Sequence, residues 1–122
     1  FGIKSLIGYM VTPREEMIEI KIKPLSVNIA WRGRRFKTLR YKEYEKELMY
    51  KLPKSLKIPE GKLKLYVEFG MSRASDWDNP IKPFVDVLQK KYHFNDNRIF
   101  EARVIKKISK EPYINFEIIT LP

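Results

Sequence analysis

Two periodicities alternate along the chain. From Met17 to Lys23, Ile18, Ile20 and Ile22 fall on one side and Glu19, Lys21 and Lys23 on the other. That period of two predicts a half-buried strand. Leu63 to Phe69 repeats it, with Leu63, Leu65, Val67 and Phe69 facing inward against Lys64, Tyr66 and Glu68. Two further strands are expected at Ile99–Ile108 and Tyr113–Thr120, joined by a turn around Lys110, Glu111 and Pro112. Between them the spacing changes. Tyr41, Tyr44, Leu48 and Leu52 make a helical stripe in Leu39–Leu52, and Ile81, Phe84, Val85 and Leu88 make another in Asn79–Tyr92. Asn79 suits the N-cap of the second helix and Pro80 its first turn. Pro83 comes early enough to remove only one backbone donor. The order strand, helix, strand, helix, strand, strand implies an α+β fold in two layers. Its sheet is expected to be mixed but largely antiparallel, with both helices packed on one face.

Composition adds limits to this picture. With 122 residues, 43% hydrophobic and 33% charged, the chain has material for one core, and no repeat or compositional break marks a second. The absence of cysteine rules out a disulfide framework, a thiolate metal site and a cysteine nucleophile. It is compatible with a reducing compartment, and a cytoplasmic, nucleoid-associated protein is expected. No apolar run approaches the ~20 residues of a membrane helix, so no membrane partner is expected. The chain opens on Phe1, not Met, which leaves a removed targeting segment open. The net charge of +10 favours an anionic partner, nucleic acid above all.

Candidate chemistry sits where a strand gives way to a helix. Met71 to Asn79 reads MSRASDWDN. If Ser75 to Asp78 stays extended, Asp76 and Asp78 point the same way and Trp77 the other. Paired carboxylates repel unless a cation lies between them. Lys82 follows Asp78 by about one helical turn, and Asp96 stands in the next loop, Asn95-Asp96-Asn97. Hard oxygen ligands suit Mg²⁺, with Mn²⁺ a possible substitute, and a nearby lysine suits a phosphate. Spacing alone does not decide between this site and a plainer reading. In the latter, Asp78 favours the helix dipole and Asp96 closes a turn.

Basic residues flank the acids. Trp31 to Lys42 reads WRGRRFKTLRYK, a run holding Arg32, Arg34, Arg35 and Lys37 with interleaved aromatic rings. Such a loop can follow phosphates while a ring stacks on a base, or be simply a solvated basic turn. Arg73 precedes the first aspartate; Arg103, Lys106 and Lys107 lie on the strand after Asp96. His93, the single histidine, is given no role.

Together these residues resemble the RusA-type Holliday junction resolvases. The segment DWDNPIKPFVDVLQKKYHFNDNRIFEARVIKK, Asp76 to Lys107, is similar to the family's D-x-D-N-x-x-K, its apolar helix with D-x-L, and its acidic turn and basic strand. Lys23-Pro24-Leu25-Ser26-Val27-Asn28 resembles its P-x-S-x-N element and Arg32 to Phe36 its basic loop. The resemblance covers residues 17–122 and leaves out residues 1–16. It implies a homodimeric, Mg²⁺-dependent endonuclease that resolves four-way DNA junctions by paired symmetric nicks, in recombination and repair. Asp76, Asp78 and Asp96 would match the essential aspartates and metal ligands. Lys82 would match the essential lysine, with Asn79 and Asp86 in support. The departures are Asn95 in place of a second aspartate and Pro83 within the helix. Two other readings are a non-catalytic structure-selective nucleic-acid-binding module on this scaffold and a more general flap or fork nuclease.

Overall fold

The computed structural model describes residues 17–32 and 36–122; the side chain of Arg32 is also outside the description. The basic-loop residues Arg34 and Arg35 and the segment 1–16 therefore lie beyond the described residues. Strand β1 spans Ile18–Ile20, helix α1 Val27–Ala30, strands β2 Trp31–Arg32 and β3 Phe36–Lys37, and helix α2 Leu39–Lys51. There follow β4 (Leu63–Met71), α3 (Ile81–Tyr92), a 3₁₀ turn at Asp96–Arg98, β5 (Ile99–Ile108) and β6 (Tyr113–Thr120).

The main sheet runs β1-β6-β4-β5. β6 pairs antiparallel with both β1 and β4, whereas β4 and β5 are parallel. The expected mixed, largely antiparallel α+β sheet is therefore present. The turn after β5 does join it to β6, but the two strands are not neighbours, because β4 lies between them. The buried side of the sheet carries the predicted apolar set. Leu65, Val67, Phe69, Ile114 and Phe116 are buried in one core with Leu48, Phe84, Val87 and Leu88 of the helices. Phe84 sits edge-on to Phe116 at 5.2 Å and to Phe69 at 6.0 Å.

Local chemistry explains the element ends. Thr38 caps α2 by accepting from the Tyr41 N–H, and the Leu52 N–H closes its far end on the Leu48 carbonyl. Helix α3 starts two residues later than the expected Asn79. Pro80 occupies the cap without a side-chain bond, and Asn79 lies in the preceding turn. His93 ends α3 in the left-handed conformation at φ 55°. The strand expected at Met17–Lys23 contracts to three residues, since beyond Ile20 no partner continues the ladder. The run Trp31 to Lys42 is not one loop. It divides into the two-stranded ribbon β2-β3 and the first turn of α2, with Trp31 opposite Lys37 and Arg32 opposite Phe36. No helix among the described residues is long and apolar enough to cross a membrane.

Candidate functional site

Strand β4 leaves the sheet at Met71 and the chain turns through Ser72–Asp78 before α3 begins. Ser72 and Ser75 brace the turn, hydroxyl to hydroxyl at 3.0 Å, and the Ser75 N–H donates to the Ser72 carbonyl. Ser75–Asp78 does not stay extended but bends at Ser75 and again at Trp77–Asp78. Asp76, Trp77 and Asp78 are all exposed, Trp77 to 55%. Asp76 accepts from the Asn79 amide at 3.3 Å. The carbonyl of Asn79 in turn accepts from the Val27 N–H at 2.9 Å, tying the loop to α1.

From the opposite side comes Lys106. Its ammonium donates to the carbonyl of Arg73 at 2.7 Å and to that of Ser75. Sequence reasoning put Lys106 among the DNA contacts; here its charge is directed at the acidic loop. No local signal could have revealed this, because it depends on β5 lying parallel to β4, with Lys106 beside Phe69.

The other basic residues divide in a similar way. Lys37 is bound to Glu45 at 3.0 Å and lies over the Tyr41 ring at 5.1 Å. Lys107 faces Glu68 at 3.6 Å on the far side of the sheet. Arg103 stacks over Tyr66 at 5.7 Å and stays exposed, as does Arg73. Burial alone would raise the Glu45 carboxyl, but hydrogen bonds from Lys37 and Lys90 outweigh it and hold the group below its ordinary range.

On α3, Lys82 is 63% exposed and is held by Asp86, one helical turn on, at 3.0 Å. Gln89 extends this stripe. Its amide nitrogen reaches Asp86 at 3.5 Å and its amide oxygen accepts from the Asp96 N–H at 2.7 Å. Gln89 was missed by sequence reasoning, although its place three residues after Asp86 on one helix face was a usable signal. Asn95 is already engaged, its side-chain oxygen capping the 3₁₀ turn at the Asn97 N–H. The Asp96 carboxylate has no hydrogen-bond or ion-pair partner among the described residues.

Asp96 does not meet Asp76 and Asp78 within this chain. The acidic loop follows the C-terminal end of β4, whereas Asp96 precedes the N-terminal end of β5, and the two strands run parallel from Leu63↔Ile99 to Met71↔Ile108. Nine residues of strand separate the ends by about 30 Å. Helix α3, 12 residues and so about 18 Å long, crosses most of this gap, and the turns at its two ends cover the rest. Consistently, no three acidic or histidine side chains among the described residues lie close enough together to hold a metal ion. Asp76 and Asp78 have the donor chemistry for a hard cation; the expected trio is not assembled in one copy.

Comparison with known proteins supplies the rest. The family model described as Endodeoxyribonuclease RusA matches residues 23–119, and no curated protein matches the chain. The chain belongs to the RusA endodeoxyribonuclease family, whose members are DNA-hydrolysing junction resolvases.

Proposed function

We propose that this family member is a Mg²⁺-dependent endonuclease that resolves four-way DNA junctions by paired symmetric nicks, acting as a homodimer in recombination and repair. One observation carries the reading. The D-x-D-N-x-x-K segment forms an exposed acidic loop that Lys106 ties to the neighbouring strand, in a basic chain of the RusA family. Asp76 and Asp78 would hold the ion through carboxylate oxygens. When bound, such an ion supplies an activated water and neutralises charge on the phosphate. Lys82 would face the phosphate or leaving oxygen from the first turn of α3, oriented by Asp86. Arg32, Arg34, Arg35, Arg73 and Arg103 would contact the DNA backbone.

The dimer is supported by the distance between the acids. β5 is an edge of the main sheet among the described residues, with Phe100 64% and Ile108 58% exposed. An unpaired edge is a ready template for a second copy. If two β5 strands paired antiparallel about their midpoint near Arg103 and Val104, Asp96 of each copy would approach the acidic loop of the other. Two-fold symmetry would then give two equivalent sites for two nicks.

A labelled four-way junction tests this reading. With Mg²⁺ the protein is expected to nick two opposed strands. Asp76→Asn and Asp78→Asn are each expected to abolish cutting while preserving or tightening binding, since each removes a negative charge near phosphate. A wild-type protein that binds the junction and leaves it whole in Mg²⁺ contradicts the proposal.

A further inference from the structure

The turn that carries Asp96 is fastened along its backbone, while the Asp96 carboxylate is not. Asn95 caps it at the Asn97 N–H, and the Arg98 N–H returns to the Asn95 carbonyl at 3.1 Å. The Arg98 guanidinium donates to the carbonyls of Gly61, at 3.1 Å, and Pro59, which ties the turn to the loop before β4. The Ile99 N–H closes on the Asp96 carbonyl. One bond comes from a helix. The amide oxygen of Gln89, on α3, accepts from the Asp96 N–H at 2.7 Å. The carboxylate itself is exposed and has no partner among the described residues.

Gln89 suits this place by chemistry as well as by position. Its amide nitrogen faces the Asp86 carboxylate at 3.5 Å and its amide oxygen the Asp96 N–H. A carboxylate only accepts and a backbone N–H only donates, so the amide has one favourable orientation; turned over, both its ends would meet like groups. Asp86 is itself held by Lys82 at 3.0 Å, which fixes the reference point. Glutamate would face Asp86 with like charge, and lysine offers no acceptor to the N–H, so neither could serve both neighbours. A partner that orients a ligand without touching the ion typically changes metal affinity or activity by about 10–100-fold. We propose that Gln89 is a positioning residue: through the Asp96 N–H it sets where the Asp96 carboxylate points, and so completes the metal site to which Asp96 contributes. The inference rests on the endonuclease reading above, in which Asp96 serves the site of the other copy. Gln89 of one copy then acts on the reaction centre of the other.

The test uses the full chain and Gln89→Met, which keeps the side-chain length and the helix but removes both polar ends. Without DNA, Mn²⁺ binding measured by calorimetry is expected to weaken about tenfold or more. The melting temperature should stay within a few degrees of wild type. Placement in mixed dimers then separates positioning from support of the fold. When Asp76→Asn and Asp96→Asn chains exchange subunits, the intact site takes its Asp96 from the Asp76→Asn chain. Adding Gln89→Met to that chain should lower junction cutting about tenfold or more. Adding it to the Asp96→Asn chain should leave cutting within about twofold. Equal losses in the two placements overturn the proposal. So do Mn²⁺ binding and cutting by the Gln89→Met homodimer within about twofold of wild type. Should Gln89→Met fail to fold, Gln89→Leu is held to the same outcomes, and unfolding of both makes the residue structural and ends the proposal. If the mixture never cuts even without Gln89→Met, the shared site fails instead, and Mn²⁺ binding alone decides the role of Gln89.

Discussion

Lys106 reaches from β5 to two carbonyls of the acidic loop, those of Arg73 and Ser75. Bonds from a charged donor are among the stronger ones, and this donor fixes the segment that presents Asp76 and Asp78. Lys106→Met keeps the aliphatic stem and removes the donor. Junction cutting is expected to fall on the order of ten- to a hundredfold, because small displacements of reacting groups have effects of that size. The melting temperature should shift by only a few degrees. An unchanged cutting rate at saturating junction would show that the loop holds its shape unaided. At this scale the sequence is readable wherever partners are close along the chain. Asp76 with Asn79 and Lys82 with Asp86 are three and four residues apart, within local reach along the chain, and both bonds form. The contact from Lys106 to the loop spans the sheet, so no local pattern contains it.

The elements are held in register by a few particular side chains. Gly70 on β4 faces Tyr113 on β6, and a Cβ at Gly70 would lie 2.2 Å from the tyrosine ring. Tyr113 needs that closeness, since its hydroxyl donates to Glu68 at 2.7 Å. Burial, with help from Glu68, pushes the Tyr113 pKa up to about 12. Gly70→Ala is therefore expected to destabilise the sheet by about 1–3 kcal/mol or more, read from chemical denaturation. A loss near zero would mean that the ring swings aside freely.

Glu45 joins three elements, binding Lys37 of β3 at 3.0 Å and Lys90 of α3 at 3.1 Å from its own place on α2. Its carboxyl is held low in the folded chain and so binds its proton more readily when unfolded. The stability it contributes is present above its unfolded pKa, ~4.3, and is lost as pH falls through the lower folded value. Melting curves across this acid range should show a smaller decline in Glu45→Gln than in wild type; parallel declines would exclude the network as the source. Helix and strand types could be read from periodicity because each element buries one face. Pairing order could not. β5 and β6 adjoin in sequence, yet β4 separates them, and nothing in either strand's pattern specifies an inserted neighbour. The ribbon β2-β3 was equally hidden, as two-residue strands carry no period.

At the scale of the whole molecule, the parallel pairing of β4 and β5 decides the shape of the site. It sends the acidic loop to one end of the sheet and Asp96 to the other. The proposed homodimer brings them together between copies, and a mixing experiment tests this directly. Asp76→Asn and Asp96→Asn proteins are each expected to be inactive on a four-way junction with Mg²⁺. Mixed and allowed to exchange subunits, they should form heterodimers in which one site carries both substitutions and the other carries neither. Nicking should therefore return in the mixture, at up to about a quarter of the wild-type rate if subunits pair at random and sites act independently. A mixture of active-when-wild-type subunits that exchange freely yet never cut would contradict a site shared between two copies.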